Sequence, residues 1–159
     1  MTTREPKHLF PLKKILVSVD GSEYANRAVE AAIELARQNK AELIVANVLA
    51  MTVPRLYTPM APYPSAADYT RFFKAAEADG NNIVSQAVNE ARNQSINARG
   101  KVLTTMTSIA ESILDFSVAE NVDLIVVGTR GLGGFKKLLL GSVSSAIVAH
   151  AHCAVLVVR

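Results

Sequence analysis

The length, composition and charge of the chain set broad limits on its fold and function. The chain has 159 residues, of which 50% are hydrophobic and 19% charged, as expected for one folded domain with a packed core and not for a disordered chain. The net charge is only +3, the basic residues are spread along the sequence and Trp is absent, so the composition argues against a nucleic-acid-binding surface.

Cysteine usage and the lack of long apolar runs indicate the cellular context. Cys153 is the sole cysteine, which excludes an intrachain disulfide and a thiolate zinc cluster, and it is interpreted as a small buried residue. The N-terminus lacks the apolar stretch of a signal sequence, and no apolar run reaches the roughly 20 residues of a membrane helix. We expect a cytoplasmic protein with no membrane partner, in which residues 1–12 form an arm and residues 13–159 a single domain.

The first part of the chain predicts two strands separated by a helix. Lys13–Asp20 is a short β-branched run that ends in an acid, and Ser22 can cap the helix that follows it. Small apolar residues recur at helical spacing from Ala25 to Ala36. Ala41–Ala50 is the second strand. Because both strands are almost continuously apolar, we expect both of their faces to be covered, as in a parallel sheet.

The middle of the chain begins with a proline-rich segment. Met51–Asp68 contains four prolines and is predicted to be a long loop and not a helix or a central strand. A helical pattern resumes at Tyr69, and Gly100 stands where we expect that helix to stop. Lys101–Met106 is the third strand, and its weaker hydrophobicity places it near an edge of the sheet.

The last part of the chain predicts two further strands and two helices. Ser108 has the spacing of a capping box with Glu111, which opens a helix to about residue 121. Asp123–Gly128 is the fourth strand, Ser142–His150 the last helix and Ala154–Val158 the fifth strand. The regular alternation of strands and helices predicts an α/β fold with a doubly wound parallel sheet.

Glycines cluster directly after the fourth strand. Residues 128–134 contain four of them, which indicates positive φ angles or the close approach of another group. The carboxyl end of a parallel strand is also where open α/β sheets bind ligands. Further on, Gly141 and Ser142 open a helix, whose free N–H groups and dipole attract phosphate. The alternative is that Gly133 and Gly134 give only loop flexibility and that Ser142 is an ordinary N-cap.

The spacing of these residues resembles that of a known family. Gly128, Gly131, Gly141 and Ser142 follow the pattern glycine, two residues, glycine, nine residues, glycine-serine. Together with the surrounding sequence GTRGLGGFKKLLLGSVS, this pattern resembles the ATP-binding branch of the universal stress proteins. The resemblance covers essentially residues 13–159. It implies a Rossmann-like five-stranded sheet of order 3-2-1-4-5 with helices on both faces, and a stress-response regulatory protein that binds ATP or a related adenine nucleotide.

The resemblance also implies roles for individual residues. Asp20 is expected to contact the ribose or a bound Mg²⁺, although it could instead be only a helix-entry acid. The backbone of Val48 is expected to read the edge of adenine, although Val48 could be simple core. Independently of the resemblance, the positive charges of Arg130, Lys136 and Lys137 could offset phosphate charge, but a solvated surface role is the alternative for each. The candidate nucleotide-binding residues are therefore Asp20, Val48, Gly128, Arg130, Gly131, Gly141, Ser142, Val143 and Ser144.

The sequence favours a binding protein over an enzyme, and no catalytic residue is assigned. His8 lies in the predicted arm, whereas His150 and His152 lie at the far end of the last helix. The glycine loop also lacks the lysine geometry of a P-loop NTPase. Two alternatives stay open: a slow ATPase or autophosphorylating enzyme that uses Asp20 and Mg²⁺, and a nucleotide-free stress scaffold.

The final strand predicts a mode of assembly. Ala154–Val158 is apolar and would lie at a sheet edge, where unpaired backbone groups are a liability that proteins usually cover. Pairing of this strand with its twin across a two-fold axis would cover it, and the resembling family commonly dimerises in this way. We therefore expect a homodimer through residues 154–158.

Overall fold

The computed structural model describes residues 11–51, 65–131 and 140–159. Strands and helices alternate along these ranges. The strands are β1 (Lys14–Ser18), β2 (Glu42–Ala50), β3 (Ala98–Thr105), β4 (Leu124–Gly128) and β5 (Ala154–Val158). The helices are α1 (Glu23–Asn39), α2 (Ala66–Asn93), α3 (Ile109–Ala119) and α4 (Ser142–His150). Most of the predicted arm (residues 1–10), most of the proline-rich segment (residues 52–64) and residues 132–139 after the fourth strand lie outside the described residues.

The five strands form one parallel sheet of order β3-β2-β1-β4-β5. This result confirms the predicted fold class, and the weakly apolar third strand lies at an edge as expected. Because every strand runs in the same direction, the carboxyl ends of all strands lie along one side of the sheet and the amino ends along the other. We call these two sides the carboxyl edge and the amino edge; the names refer to strand ends and not to the outer strands β3 and β5. From β1 the chain moves outward to β2 and β3, then crosses back to β4 and β5. The connections therefore diverge between β1 and β4.

Apolar side chains are buried on both faces of the sheet. Alternate residues of a strand point to opposite faces, so Val17 and Val45 pack with α1 and α2, whereas Leu16 and Ile44 pack with α3 and α4. These four side chains have no exposed surface. Covering both faces explains why the strands read as continuous apolar runs instead of alternating ones.

Side-chain oxygens cap two of the helices as the sequence predicted. The hydroxyl oxygen of Ser22 accepts the Ala25 N–H at 3.2 Å at the start of α1. The hydroxyl oxygen of Ser108 accepts the Glu111 N–H at 3.4 Å at the start of α3. The N-cap of α4 is Gly141, which supplies no side-chain cap.

Helix α2 begins earlier than predicted. It starts at Ala66, so the assignment of residues 66–68 to a loop was wrong. Ser65 and Asp68 form a reciprocal capping box: the Ser65 hydroxyl oxygen accepts the Asp68 N–H at 3.2 Å, and the Asp68 carboxylate accepts the Ser65 N–H at 2.9 Å. Although α2 has 28 residues, no helix in the described part of the chain is both long and apolar enough to span a bilayer.

The prediction that Gly100 ends α2 was also wrong. The helix ends at Asn93, the chain turns through Ser95 in the left-handed region (φ 62°), and Gly100 lies inside β3. A Cβ on Gly100 would overlap Cγ1 of Val84. This glycine therefore lets α2 pack closely on the edge strand, and β3 starts before the predicted Lys101.

Candidate functional site

The candidate site lies at the carboxyl edge, where β1 and β4 are neighbours. Asp20 follows the end of β1, and Gly128 is the last residue of β4. The chain connections leave these two strands in opposite directions, which creates a crevice at this point of an open α/β sheet. The fold thus brings the first-strand acid next to the glycine segment.

Asp20 and Gly131 are in direct contact. Oδ1 of Asp20 accepts the Ser22 N–H at 3.0 Å, which orients the carboxylate at the start of α1. A Cβ added to Gly131 would overlap Oδ2 of the same carboxylate. Position 131 therefore admits no side chain unless Asp20 moves.

Gly128 is required for a different reason. A Cβ at this position would lie 2.8 Å from the carbonyl carbon and 2.9 Å from the carbonyl oxygen of Tyr24. The first turn of α1 therefore packs directly on the end of β4. This contact is with backbone, so it cannot be relieved by the rotation of a side chain. Gly128 serves the packing of α1 on the sheet, whatever ligand lies nearby.

Arg130 points its guanidinium towards α1. Its Cζ lies 5.9 Å from the centroid of the Tyr24 ring, within the range of a cation–π interaction. Arg27 lies at the same distance from this ring. The described part of the loop is thus joined to the first turn of α1 through Tyr24. Lys136 and Lys137 lie outside the described residues.

Thr129 is a site residue that the sequence analysis missed. Its N–H donates to Val158 O at 2.7 Å, and its carbonyl oxygen accepts the Gly141 N–H at 2.7 Å. The hydroxyl of Ser144 lies 3.1 Å from the same carbonyl oxygen. Thr129 therefore joins the end of β4 to both β5 and α4. Its own Oγ1 is buried and has no hydrogen-bond partner among the residues that the structure describes. A polar residue directly after an apolar strand was the signal in the sequence that could have identified Thr129.

The first turn of α4 contains four of the candidate residues. Gly141 donates its N–H to Thr129, so the expectation that this amide is free for phosphate was wrong. The hydroxyl of Ser144 is buried between the carbonyl oxygens of Thr129 and Gly141 and holds the turn together. Ser142 is exposed, whereas Val143 packs partly against the core beneath α3 and α4. The first N–H groups after an N-cap have no partner within their helix.

Val48 lies at the same level of the sheet as Asp20. The Cα partner of Ser18 is Ala46, and the Val19 N–H donates to Ala46 O at 2.8 Å. Asp20 and Val48 each lie two residues beyond the Ser18–Ala46 pair. Val48 is half-buried on the face covered by α3 and α4.

A cleft of about 670 Å³ lies between α1 and α2; Asp20 is part of its lining, whereas Gly131 is not. Its walls carry the carboxylates of Asp20, Glu30, Asp79 and Glu90. Such a cleft repels a polyphosphate, which favours the side of Asp20 that faces Gly131. Among the residues that the structure describes, no three His, Cys, Asp or Glu side chains are grouped for metal binding.

The histidines described by the structure are remote from the site. His150 ends α4 and His152 precedes β5, so both lie at the amino edge. His8 is outside the described residues. His150 and His152 therefore cannot reach a ligand held near Asp20 and Gly131.

Comparison with known proteins gives the family. The model of the "Universal stress protein family" matches residues 11–159. The chain belongs to the universal stress protein family. Universal stress protein YxiE of Bacillus subtilis is 32% identical over 149 residues, which cover 92% of this chain and 98% of that protein. The solved structure of the universal stress protein UspA from Lactobacillus plantarum is 25% identical, with a TM-score of 0.78 and coverage of 93% and 98%.

Three other universal stress proteins of this fold are described with adenine nucleotides. One from Arabidopsis thaliana has AMP bound (22% identity, TM-score 0.65, coverage of 92% and 90%). One from Archaeoglobus fulgidus is in complex with dAMP (23%, TM-score 0.64, coverage of 94% and 99%). A third is in complex with cAMP (23%, TM-score 0.66, coverage of 94% and 98%). At these identities the likeness shows a shared fold.

Proposed function

We propose that this chain is an adenine-nucleotide-binding regulatory protein of the stress response, in the ATP-binding branch of its family. The observation that carries the proposal is the contact of Gly131 with the carboxylate of Asp20, at the point where β1 and β4 diverge. An open α/β sheet binds ligands at this point. A side chain at position 131 would occupy the space beside the carboxylate, whereas glycine leaves the backbone exposed to a ligand.

The geometry supports one orientation of the nucleotide. The start of α4 carries N–H groups after Gly141 and the positive end of the helix dipole, which suit the phosphates. Asp20 can accept hydrogen bonds from ribose hydroxyls. Val48, at the same level of the neighbouring strand, offers backbone groups to the adenine edge. The amides of Ser142 and Val143 replace that of Gly141 in this proposal, because Gly141 donates to Thr129.

Mg²⁺ is a proposed companion of the phosphates. Magnesium usually binds through one or two carboxylates together with phosphate oxygens and water. Asp20 fits this role because Oδ1 is oriented by the Ser22 N–H while Oδ2 faces Gly131. Bound Mg²⁺ would offset the repulsion between the carboxylate and a phosphate. No other residue is assigned to the metal.

Nucleotide binding is tested by titration with a matched pair of variants. Purified protein is denatured and examined by mass spectrometry for bound nucleotide, then titrated calorimetrically with ATP, AMP, dAMP, cAMP and GTP. Gly131→Val should weaken binding of the adenine ligands by at least about tenfold, because valine displaces Asp20 and fills the crevice. Ala119→Val adds the same side chain at an exposed position of the amino edge and should bind like the wild type. Equal binding by both variants would contradict the proposed site.

A slow ATPase or autophosphorylating activity is the second candidate, favoured by the position of the Asp20 carboxylate directly beside Gly131. The carboxylate could position Mg²⁺ beside the phosphates. Phosphate release and incorporation of labelled phosphate are compared in wild type and Asp20→Ala. Equal background rates in both proteins would remove the enzymatic interpretation and leave binding alone.

We also propose a homodimer through β5. This strand lies at the edge of the sheet, and its residues Val155 to Val158 are all partly exposed. An unprotected apolar edge favours pairing with a second copy. Sedimentation at micromolar concentration should give the mass of a dimer. A monomeric mass would contradict the proposed assembly without affecting the nucleotide site.

A further inference from the structure

Asn47 is a buried polar side chain on the α1/α2 face of β2. It is 6% exposed, and its Nδ2 donates to the carbonyl oxygen of Val19 at 2.8 Å. Its Oδ1 is also buried, and no residue in the described part of the chain donates a hydrogen bond to it. A buried amide oxygen without a donor is destabilising. An apolar side chain would avoid this cost but would also remove the donor to the Val19 carbonyl, so the amide is explained by its bond to Val19.

The amide of Asn47 fixes the backbone just before Asp20. β1 ends at Ser18, yet Val19 remains attached to β2 through both of its backbone groups. The Val19 N–H donates to Ala46 O at 2.8 Å, and the Val19 carbonyl accepts from Asn47. The side chain of Asn47 thus supplies a bond where the regular pairing of the two strands has stopped. The next residue along the chain is Asp20.

Helix α2 packs against the Asn47 amide at a glycine, Gly80. A Cβ on Gly80 would lie 2.6 Å from Oδ1 and 3.5 Å from Cγ of Asn47. Glycine is unfavourable in the middle of a helix, so a close approach explains its presence. One turn further on, Cδ1 of Ile83 lies 3.2 Å from the position of a Cβ on Gly21. Gly80 and Ile83 therefore place α2 against the segment on both sides of Asp20.

We propose that Asn47 is a positioning residue for Asp20 and that Gly80 permits α2 to hold its amide in place. The inference rests on the proposed nucleotide site, because Asp20 is the carboxylate of that site. Asn47 does not contact the nucleotide in this arrangement. It fixes the direction in which the chain leaves β1, and therefore the position of the carboxylate relative to Gly131.

The first test compares two truncations on the same face of β2. Asn47→Ala removes the amide, whereas Val45→Ala removes a buried apolar side chain two residues earlier. ATP affinity is measured by calorimetry in the presence of Mg²⁺, and stability by urea denaturation. Asn47→Ala should weaken ATP binding about tenfold, as for the loss of a hydrogen bond to a positioned group. Val45→Ala should lower stability and leave ATP affinity unchanged. If both variants lose ATP affinity in proportion to their loss of stability, the proposal is overturned.

A double-mutant cycle tests whether Asn47 acts through Asp20. In an Asp20→Ala background, adding Asn47→Ala should change the ATP dissociation constant by less than about twofold. A full tenfold effect in that background would show that Asn47 acts by another route. Gly80→Ala serves as a second variant that keeps the amide. Gly80→Ala should also weaken ATP binding. An ATP affinity equal to that of the wild type would contradict the role proposed for α2.

Hydrogen exchange measured without nucleotide tests the positioning role of Asn47 independently of the proposed nucleotide binding. The Ser22 N–H donates to Oδ1 of Asp20, so its hydrogen exchange reports on the position of the carboxylate. Asn47→Ala should accelerate exchange at Ser22 more than Val45→Ala does. If wild type binds no adenine nucleotide but this difference is found, the proposed function fails and the positioning role stands. Equal exchange in the two variants would contradict the positioning role.

Discussion

Charged side chains pair with one another at the amino edge of the sheet, whereas glycines and backbone contacts dominate the carboxyl edge. At the amino edge, Arg99 Nε donates to Glu42 Oε1 at 2.6 Å, and its Nη2 donates to Glu120. Lys14 Nζ donates to the carbonyl oxygen of Glu120 at 2.7 Å. Asp123 Oδ2 accepts the Lys14 N–H at 2.9 Å. These contacts join the beginnings of the strands.

The carboxyl edge is arranged differently. Gly128 and Gly131 stand where a side chain would meet Tyr24 or Asp20. The buried hydroxyl of Thr129 has no hydrogen-bond partner within residues 11–51, 65–131 and 140–159. At these two glycine positions, backbone or a carboxylate takes the space that a side chain would need. The comparison indicates that the amino edge stabilises the sheet, and it agrees with the ligand site that we propose at the carboxyl edge.

The largest expected effect concerns the two glycines of the carboxyl edge. Gly128→Ala should destabilise the protein by about 2–3 kcal/mol, because its methyl group meets the backbone of Tyr24. Gly131→Ala should cost less than about 1 kcal/mol, because the group it meets is the end of the Asp20 side chain. Urea denaturation of both variants measures the difference. Equal losses of stability would mean that the two glycines do not have separate roles.

An intermediate effect is expected when the ion cluster of the amino edge is broken. Arg99→Met removes the partner of Glu42 and Glu120 and should lower stability by about 1 kcal/mol, since water screens these partly exposed groups. ATP affinity should not change, because the cluster lies at the opposite edge from the proposed site. Denaturation at low and high salt, with parallel calorimetry, checks both statements. A loss of affinity without loss of stability would contradict the division between the edges.

The smallest expected effect is a pH dependence. The hydrogen bond from Arg99 lowers the pKa of Glu120 below its ordinary value of 4.5. The stability that Glu120 contributes is therefore fully present above the unfolded-state pKa and is lost as the pH falls through the folded-state pKa. Glu120→Gln should cost about 0.5 kcal/mol at neutral pH, and the difference from wild type should diminish in acid.

Urea denaturation of wild type and Glu120→Gln between neutral pH and pH 3 measures this dependence. Glu77→Gln, on an exposed part of α2, is the matched control for loss of one carboxylate. A stability difference for Glu120→Gln that stays constant down to pH 3 would show that its pairing with Arg99 does not operate in solution.

Local patterns in the sequence determined the architecture. Continuous apolar runs identified buried parallel strands, because only a strand covered on both faces needs apolar residues at every position. Ser22 and Ser108 marked the starts of their helices, since an N-cap requires a side-chain acceptor at one defined position. The order of the strands was predicted from the resemblance to the family. That resemblance rests on the spacing of the glycines and the serine in residues 128–142.

Tertiary contacts decided what each residue of the site does. The sequence could not show that Gly128 meets Tyr24, that Thr129 bonds to both Val158 and Gly141, or that Asn47 holds the carbonyl of Val19. Each of these contacts joins segments that are distant along the chain, so no local periodicity encodes it. The sequence therefore determined which segments become strands and helices, whereas the packing of α1, α2 and α4 on the sheet decided which small and polar residues shape the crevice.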